Sequence, residues 1–424
     1  MSSLDPHAFL HGLFQAALSA VRAEERAPVF LSKIEKPKGK TIVVGAGKAA
    51  ASMAKAVEDH FGDIDSGLVV TRYKHGLPLK KIEVVEAGHP MPDDSGQRAA
   101  ARILELAGTA GPDDLLLCLI SGGGSALLSL PAQGLTMADM QAVTKGLLLS
   151  GANIGEINCV RKHISAIAGG RLARAAKGAR IVSLLISDVP GDDVSVIASG
   201  PTVADPTTFA DALAVLKKHN VSMPPAIEKH LTEAREESVK PGDPCLARAE
   251  TIMIATPQDA LDAAAAYAKA HGVTPLILGN AIEGEARDVA LVMAGMARQV
   301  VGFDQPLPAP CVLISGGETT VTVKGKGKGG RNCEFLLNLA IATDGHPRIH
   351  AIACDTDGID GTEDNAGAIL HPDTLAKGLA KGAKAKDYAA RNDSYSFFEF
   401  CDSLVITEPT RTNVNDFRAV YIKE

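Results

Sequence analysis

The sequence contains no tryptophan, only 4% aromatic residues and no surplus of basic residues. Its 43 lysines and arginines are outnumbered by 50 aspartates and glutamates, which gives a net charge of −7. A general nucleic-acid-binding protein needs a basic surface, and single-stranded nucleic acid is commonly bound by stacking on aromatic side chains. The composition therefore argues against nucleic acid as a partner.

The chain also lacks paired cysteines and a membrane-spanning run. Its seven cysteines are scattered and never form a CxxC pair, which is typical of a reducing compartment. The longest uncharged stretch, 115–138, contains three successive glycines and Pro131, so it predicts no membrane span. No lysine or arginine precedes the small residues at 16–20, so we predict no signal peptide. We expect a cytoplasmic protein.

What the chain does have is length and a repeated alternation of apolar runs with helical patterns. With 424 residues, 46% of them hydrophobic, it is long enough for two or three domains with full cores. Short, mostly continuous apolar runs predict strands that are covered on both faces. These runs are 41–44, 67–71, 115–120 and 181–186, and helical spacing is found at 48–60, 95–106 and 154–168. A largely parallel sheet with flanking helices follows, so the fold class is α/β.

A charged stretch at about 224–244, bracketed by prolines, marks the expected domain connection. We therefore predict an N-terminal domain over 1–240 and a C-terminal α/β domain over 241–424. Further strands are predicted at 251–255, 274–278, 311–315, 349–354 and 403–407. The alternation in 318–324 indicates an antiparallel edge.

Two buried strands, one in each half, end in the same Ser-Gly-Gly motif, at 118–123 and 311–317. Ligands of open α/β sheets bind beyond such carboxyl ends. The first motif continues as the loop Ser121-Gly122-Gly123-Gly124-Ser125. Its amides and hydroxyls are suited to hold a phosphate, whereas the alternative is a sharp turn that the glycines merely permit. Three successive glycines favour the anion site.

The run GAGKAA at 45–50 follows a predicted strand and opens a helix. It fits the G-x-G-x-x-A fingerprint of dinucleotide-binding proteins. That reading expects an acidic residue after the second strand, but Arg72 stands there, so NAD is disfavoured and NADP stays open. In the other reading, Gly45 and Gly47 shape an anion site and Lys48 binds phosphate at the helix N-terminus. A tight turn with a solvated lysine explains the motif equally well.

Polar side chains interrupt the apolar stripe of the predicted helix 154–168. Asn158, Arg161 and His163 are suited to bind a carboxylate or phosphate, although a solvated polar face is the default explanation.

Acidic side chains follow two predicted strands. They are Asp188 and Asp193 after 181–186, and Asp355 and Asp357 after 349–354. Carboxylates at strand ends are natural Mg²⁺ ligands or general bases, and Asp-Gly turns are also common for structural reasons.

The segment 324–331, KGKGKGGR, is a basic glycine-rich loop before a predicted helix. Its glycines indicate a mobile loop that closes over an anionic ligand. A solvated hairpin tip explains the lysines as well, but it explains Arg331 at the helix start less well.

Taken together, these segments resemble the glycerate 2-kinase family, which also carries the name hydroxypyruvate reductase. The matching blocks include VVGAGKAAASMA (43–54), ISGGGSALL (120–128), INCVRKHISAIAGGRLA (157–173), SDVPGDD with SGPTVADP (187–206), GGETTVTVKGKGKGGRNCEF (316–335), DTDGIDG (355–361) and TNVND (412–416). The resemblance implies two α/β/α sandwich domains, the first Rossmann-like, with the active site in the cleft between them. It also implies ATP-dependent phosphorylation of the 2-hydroxyl of D-glycerate, with Lys48 and Arg331 as catalytic residues.

Two positions depart from the family pattern. Ala168 stands where the family often has lysine, and EPTR at 408–411 stands where it usually has GPTG. The added charges of Glu408 and Arg411 leave a hydroxy acid other than glycerate open.

The residues and the resemblance lead to one mechanistic hypothesis. Lys48 and Arg331 stabilise the transferring phosphoryl group while the loop 121–125 holds phosphates, because phosphoryl transfer depends on positioning and charge neutralisation. ATP and Mg²⁺ are the expected cofactors. The candidate metal ligands or proton acceptors are Asp188, Asp193, Asp355 and Asp357. An NAD(P)H-dependent hydroxypyruvate reductase is the alternative, and a non-catalytic sugar-acid-binding protein ranks third.

Overall fold

The computed structural model describes residues 4–424, and its internal contacts divide this part of the chain into two units. The first unit is Ala23–Ile254. The second unit joins the described residues up to Arg22 to Ala255–Glu424. The boundary therefore lies after Ile254, whereas the sequence analysis placed it after residue 240, and the first helix belongs to the second unit.

Helices and strands alternate along most of the chain. The helices are α1 (Pro6–Ser19), α2 (Ala23–Leu31), α3 (Ala50–Phe61), α4 (Asp94–Ala107), α5 (Gly124–Leu127), α6 (Met137–Ser150), α7 (Ile154–His163), α8 (Arg171–Ala175), α9 (Phe209–Lys218), α10 (Pro225–Glu233), α11 (Pro257–Ala270), α12 (Ala286–Phe303), α13 (Arg331–Thr343), α14 (Thr374–Ala380), α15 (Ala385–Ala390) and α16 (Ser394–Phe400). The strands are β1 (Thr41–Ala46), β2 (Ser66–Arg72), β3 (Ile82–Ala87), β4 (Leu115–Ile120), β5 (Arg180–Ile186), β6 (Ala249–Ala255), β7 (Thr274–Gly279), β8 (Gly284–Glu285), β9 (Cys311–Ser315), β10 (Thr319–Thr320), β11 (Ile349–Asp355), β12 (Gly367–Leu370), β13 (Leu404–Val405) and β14 (Asp416–Ile422).

The first unit is built on a six-stranded sheet with the order β3-β2-β1-β4-β5-β6. The pairs from β3 to β5 are all parallel, and every residue of β1 and β4 is buried. Helices α4 and α8 pack on one face, and α3, which joins β1 to β2, packs on the other. The predicted α/β class and the Rossmann-like first domain are confirmed, because this is the strand order of Rossmann folds.

One strand of this sheet, β3, was not predicted from the sequence. Its residues, IEVVEA, include two glutamates, and its middle positions are only partly buried. The reason is that β3 lies at the edge of the sheet, where a strand does not need the continuous apolar run of a central strand. Its carboxyl end leads into Gly88 and His89, and His89 enters the candidate site below.

Helices α6, α7, α9 and α10 form a second apolar core within the first unit. Three of them begin with a capping box. In this motif the side chain of the capping residue accepts the backbone N–H of the third helical residue, and the side chain of that third residue accepts the backbone N–H of the capping residue. The capping residues are Thr136, Asn153 and Thr208. Helix α7 ends at His163 rather than at the predicted residue 168, because the following segment pairs with the loop before α6. There the N–H of Ala166 donates to the carbonyl oxygen of Leu130.

The second unit contains a six-stranded sheet with the order β13-β12-β11-β14-β9-β7. The pair β7–β9 is parallel, and the other four pairs are antiparallel. The central strand β14 was not predicted, because Asp416 and Arg418 interrupt its apolar pattern. All seven of its residues are nevertheless buried.

The strand predicted at 251–255 is confirmed, but its assignment to the second half is wrong, and so is the antiparallel edge predicted at 318–324. Residues 251–255 lie in β6, which belongs to the sheet of the first unit. The alternating segment 318–324 forms no antiparallel edge, since its strand β10 pairs in parallel with β8 in a separate two-stranded sheet. Beyond β10 the backbone bonds to side chains instead of to a strand. The N–H of Thr322 donates to the carboxylate of Glu285.

Helix α1 packs on α11, β11 and β14 of the second unit. Asp5 caps its first turn, and its buried face carries Phe9 and Phe14. The ring centroid of Phe9 lies 4.9 Å from that of Tyr421, and the centroid of Phe14 lies 5.9 Å from that of Phe417. Burial of a phenylalanine side chain contributes about 1.5–3 kcal/mol, so these two rings explain why the first helix joins the second unit.

Two expectations drawn from composition can be compared with the described residues. Within 4–424, no helix is long and apolar enough to cross a membrane. All seven cysteines lie in this part of the chain, and each is a free thiol.

Three histidines form a row in the second unit, and one of them, His7, lies on α1. Nδ1 of His7 lies 3.2 Å from Nε2 of His371, and Nδ1 of His350 lies 3.0 Å from Nδ1 of His371. Burial, reinforced by the neighbouring His371, lowers the pKa of His350 to about 4. Burial also lowers the pKa of His371. Both imidazoles are therefore neutral in the folded protein at neutral pH.

We expect the protein to lose stability as the pH falls from about 6.5, the pKa of an unperturbed histidine, towards 4. The unfolded chain binds a proton at His350 in this window and the folded chain does not, so protons favour unfolding. This one histidine contributes a slope of about 1.4 kcal/mol per pH unit. Urea unfolding of the unaltered chain and of His350→Gln at several pH values measures it. His60→Gln, at an exposed position, is the control, and equal slopes for His350→Gln and the unaltered chain would contradict the prediction.

Candidate active site

The GAGKAA turn joins β1 to α3, and its backbone amides already have acceptors within the protein. The bonds run from Lys48 N to Gly122 O (2.8 Å), from Ala49 N to the Oγ of Ser121 (3.0 Å) and from Gly47 N to Val70 O (3.1 Å). A dinucleotide pyrophosphate needs free amides at such a turn. The turn therefore offers no free donor at these three positions.

The two glycines of this turn allow close packing against the loop after β4. A Cβ at Gly47 would lie 2.1 Å from Oγ of Ser121, and a Cβ at Gly45 would lie 2.4 Å from the carbonyl oxygen of Leu119. Gly47 also has a φ of +136°, which side chains rarely adopt. Close packing thus explains why glycines stand at positions 45 and 47, without the phosphate-binding role that the sequence predicted for Gly45 and Gly47.

The loop after β4 keeps several of its amides available. Within residues 4–424, the N–H groups of Gly122, Gly123 and Ser125 donate to no protein acceptor. Gly123 has a left-handed backbone with a φ of +80°, and such a turn can direct neighbouring amides towards one anion. Ser121 is fully buried and its hydroxyl accepts the bond from Ala49, so its role is structural. The amides of Gly122, Gly123 and Ser125 form a candidate anion site, whereas the amide of Gly124 donates to the carbonyl oxygen of Ser121.

Two side chains lie over Gly123 at this anion site. A Cβ at Gly123 would lie 3.0 Å from the ring of His89 and 3.4 Å from Cγ of Lys48. Both side chains are partly exposed. The sequence analysis missed His89, whose signal was its position just after the unpredicted edge strand β3. An ammonium, an imidazole and free amides at one loop are groups that bind phosphate and move protons.

A chain of hydrogen bonds orients the end of this loop. Oγ of Ser125 lies 3.0 Å from Oγ of Ser199, which donates to Oδ1 of Asn158 at 3.2 Å. Asn158 is buried and therefore positions Ser199. Ala198 and Ser199 both have positive φ, 51° and 59°, and non-glycine residues in this region carry strain that often accompanies functional sites.

A cavity of about 780 Å³ opens beside Ser125 and Ser199 in the first unit. Its other polar groups include Arg161 and Lys145, and none of its described lining residues is acidic. Within residues 4–424, Arg161 has no hydrogen bond or ion pair to the protein. Burial lowers the pKa of Arg161, but an arginine stays charged. A partly buried cation without a carboxylate partner is suited to bind an anionic ligand.

His163 is placed differently from Asn158 and Arg161. Its Nδ1 lies 2.8 Å from the carbonyl oxygen of Cys159 and its Nε2 lies 2.9 Å from the carboxylate of Glu237. Burial lowers its pKa. Both ring nitrogens already have protein partners and the side chain does not line the cavity, so His163 supports the packing of α7.

The two carboxylates after β5 also differ from each other. Asp193 is exposed, and its carboxylate accepts the N–H of Ser195 at 2.8 Å. Asp188 is partly buried and follows the carboxyl end of β5. Because β1, β4 and β5 are parallel, Asp188 lies at the same sheet edge as the turn that carries Lys48.

In the second unit, Arg331 begins α13 and is bound by three carboxylates. Its Nε lies 2.8 Å from Asp416, one terminal nitrogen lies 2.7 Å from Glu318 and the other lies 2.8 Å from Asp355. Burial alone would lower the pKa of Arg331, but the carboxylates raise it well above its ordinary value. All three nitrogens of the guanidinium have partners, so Arg331 organises an acidic cluster.

A second arginine, Arg418, lies behind this cluster. It is fully buried, and it donates to the other oxygen of Asp416 at 2.5 Å and to the carbonyl oxygen of Gly316 at 3.0 Å. Asp360 is also fully buried, and burial raises its pKa. Asp360 accepts the N–H groups of Asn332 and Cys333 and thereby caps α13.

Asp355 and Asp357 belong to the turn after β11. Asp355 accepts the N–H of Asp357 at 2.9 Å, and Asp357 accepts the N–H of Ile359 at 2.8 Å. The EPTR segment lies on this turn, because a Cβ at Gly358 would be 2.2 Å from the carbonyl oxygen of Glu408. The segment that departs from the family pattern thus packs on the turn that carries the candidate residues, and the N–H of Thr410 donates to the carbonyl oxygen of Asp357.

The basic loop 324–331 is held in place rather than free. The N–H groups of Lys324 and Gly325 both donate to the side chain of Asn392. A Cβ at Gly325 would lie 2.0 Å from the carbonyl oxygen of Arg391. The glycines therefore allow the loop to pack on the turn between α15 and α16. The expectation of a mobile closing loop is not supported by these contacts.

A small cavity of about 250 Å³ lies beside this loop. Arg331 and Glu334 line it, and Glu334 is buried. Burial raises the pKa of Glu334. Among the described residues, no group of three histidine, cysteine, aspartate or glutamate side chains is arranged to hold a metal ion.

The chain is similar to two protein families and to several named proteins. Residues 9–232 match a family described as a domain of unknown function, DUF4147, and residues 311–416 match the MOFRL family. A glycerate 2-kinase of Pyrococcus horikoshii is 40% identical over 411 residues, which are 95% of this chain and 92% of that protein. The chain belongs to the glycerate 2-kinase family.

Two further relatives support this membership. The crystal structure of glycerate kinase from Thermotoga maritima matches with a TM-score of 0.89 and 38% identity, over 98% of this chain and 99% of that one. A protein of Agrobacterium vitis, provisionally named a hydroxypyruvate reductase, is 51% identical over 91% of this chain and 100% of its own length. The two names given to the family in the sequence analysis, glycerate 2-kinase and hydroxypyruvate reductase, thus both occur among the relatives of this chain.

Proposed function

We propose that this chain transfers the γ-phosphoryl group of ATP to the 2-hydroxyl of D-glycerate. The observation that carries the proposal is membership in the glycerate 2-kinase family over nearly the whole chain. The first unit adds an anion-binding loop with free amides beside Lys48, which is what a kinase needs to hold phosphates.

In this proposal, the amides of Gly122, Gly123 and Ser125 bind phosphate oxygens. Lys48 neutralises the charge that develops on the transferring phosphoryl group, because an ammonium next to free amides stabilises that charge without rearrangement. The hydroxyl of Ser125 donates its single proton to Ser199, whose own proton goes to Asn158, so Ser125 contributes its backbone amide to the phosphate site. The role of Asn158 is to position Ser199.

The 2-hydroxyl must lose its proton when it attacks the phosphorus. We assign His89 as the proton acceptor, since its ring lies over Gly123 together with Lys48 and histidine is the side chain that most often serves as a general base. The proton passes from the hydroxyl oxygen to a ring nitrogen of His89. The new bond joins that oxygen to phosphorus, and ADP leaves with the electron pair of the broken bond.

Arg331 has a less direct role in this proposal. Its guanidinium is bound by Asp355, Asp416 and Glu318, so we propose that it holds these carboxylates in register. Mg²⁺ accompanies ATP in most kinases, where one or two carboxylates and the phosphates are enough to hold it. Asp188 fits such a ligand best, because it stands at the sheet edge that carries the phosphate loop.

A cytoplasmic location is part of the same proposal. The seven cysteines of the chain are all free thiols, and thiols persist in a reducing compartment.

An NADP-dependent hydroxypyruvate reductase is the second candidate. The Rossmann strand order of the first sheet and the name of the Agrobacterium vitis relative favour it. The GAGKAA turn argues against it, because Lys48 and Ala49 already donate their amides to the loop after β4. A pyrophosphate at this turn would have to displace those two bonds.

Ligand binding and ³¹P NMR separate the two functions. We expect Mg–ATP to raise the melting temperature, since a ligand present at 100 times its Kd stabilises a protein by about 2.7 kcal/mol, and we expect NADPH to have no effect. With D-glycerate, ³¹P NMR should show a new phosphomonoester resonance of 2-phosphoglycerate. A resonance of 3-phosphoglycerate would overturn the site of attack. Intact ATP together with oxidation of NADPH by hydroxypyruvate would establish the reductase.

A further inference from the structure

The large cavity of the first unit is not needed for a three-carbon acid. Its volume is about 780 Å³, within the range of about 300–1,000 Å³ that is typical of pockets for drug-sized ligands. All three carbons of glycerate carry oxygen, so glycerate has no apolar surface to match a large apolar wall. The occupant of this cavity should be larger and partly apolar.

The chemistry of the wall describes the occupant further. One side is apolar and includes Met91, Met137, Met140 and Leu148. Methionine side chains adapt their shape and pack well against flat aromatic rings. A polar ligand on this wall would leave its donors and acceptors without partners, which is unfavourable. A flat, weakly polar ring fits this side.

The other side of the cavity carries positive charge and hydroxyl groups. Arg161 and Lys145 line it, and within residues 4–424 neither has a carboxylate partner. The hydroxyl of Thr144, one residue before Lys145, also has no protein partner in this part of the chain. An occupant with an anionic part at Arg161 and a ring against the methionines satisfies both sides.

The cavity is continuous with the proposed phosphate site. Ser125 lines the cavity and is also the last residue of the loop whose free amides bind phosphate in the proposed function. A ligand that extends from this loop into the cavity therefore has phosphates at one end and an aromatic ring at the other.

We propose that this cavity binds the nucleoside of the nucleotide substrate, with the base against Met137 and Met140 and with Arg161 at the phosphate nearest the ribose. This assignment rests on the kinase function proposed above. It divides the site, because D-glycerate then binds outside the cavity.

The test blocks the cavity and measures two ligands that differ only in the nucleoside. Ala142 is exposed on α6 and lines the cavity, so Ala142→Trp fills it without disturbing the core. Leu149→Trp is the matched control on the same helix, at a position that is 79% exposed and outside the cavity. Calorimetry on the full chain gives the Kd of ADP and of inorganic pyrophosphate, and kinetics give the KM for D-glycerate.

We expect Ala142→Trp to raise the Kd of ADP by about tenfold or more, because the base is excluded from its pocket. The Kd of pyrophosphate should stay within about twofold, since the phosphate loop is unchanged. Leu149→Trp should leave both values unchanged. An unchanged Kd for ADP together with a raised KM for D-glycerate would overturn the proposal and assign the cavity to the acid.

Photolabelling of the unaltered chain with 8-azido-ADP tests the same assignment without a variant. The label is expected on the peptide that contains Met137–Lys145, and excess ADP should prevent it. A label found only on other peptides would overturn the cavity assignment while leaving the kinase function intact. An unaltered chain that binds no ADP would contradict both the kinase function and this assignment.

Discussion

Lys48→Ala is expected to lower kcat by about 10²–10³-fold, the loss that follows removal of one group that stabilises developing charge. Lys48 lies over Gly123 beside three backbone amides that have no protein acceptor. Its ammonium supplies the positive charge at that loop in the proposed mechanism, and alanine leaves the phosphoryl charge to the amides alone. The rate of ADP release with D-glycerate and Mg–ATP measures the effect.

The control for this variant is another lysine of the same turn–helix segment. Lys55 lies on α3 and pairs with Asp59 one turn later on the helix surface. Lys55→Ala should keep normal turnover, because an exposed pair of this kind contributes little to stability. Both variants should keep the turn folded, since the backbone N–H of residue 48, which donates to Gly122, is present in both. Turnover near that of the unaltered chain in Lys48→Ala would remove Lys48 from the mechanism.

Arg331→Ala is expected to reduce both stability and turnover. Its guanidinium is the shared partner of Asp355 and Asp416, whose side chains are 6% and 0% exposed. Removing one partner of a buried ion pair typically costs about 3–5 kcal/mol, because the remaining charge stays buried without compensation. Arg418 still neutralises one oxygen of Asp416, so the loss should fall mainly on the oxygens that face Arg331.

Arg331→Lys separates charge from geometry in this cluster. Lysine keeps the positive charge, but its single ammonium cannot bridge three carboxylates as the planar guanidinium does. We therefore expect only partial recovery of the melting temperature and little recovery of kcat. Lys326→Ala is the control, because Lys326 is an exposed residue of the same basic loop. An Arg331→Ala protein that melts and turns over like the unaltered chain would show that the acidic cluster needs no cation.

The sequence by itself determined the elements with a strong local pattern. Strands β1, β4 and β5 were predicted because central parallel strands are apolar along their whole length. The glycine-rich loop after β4 was identified because glycines at a strand end are rare without a backbone reason. The blocks that identify the glycerate 2-kinase family are also local, so membership was predicted before any contact was known.

Tertiary structure decided which of these groups are available for chemistry. Gly47 and Lys48 read as an anion site in sequence, yet in the fold Gly47 donates its amide to Val70 of β2 and Lys48 donates its amide to Gly122 in the loop after β4. Arg331 read as a free catalytic cation, yet three carboxylates that are distant in sequence bind it. No local pattern shows which distant group accepts a hydrogen bond from a given donor, because that partner depends on strand order and register.

Long-range contacts also decided the domain content and the central strand of the second sheet. Helix α1 carries an ordinary amphipathic pattern, and only its packing on α11, β11 and β14, which includes the rings of Tyr421 and Phe417, assigns it to the second unit. β14 contains Asp416 and Arg418, which read as surface residues in sequence. They are buried because each neutralises the other and because Arg331 completes the pairing. Local periodicity encodes which side chains avoid water on average, whereas burial of a charge depends on a partner that only the folded chain supplies.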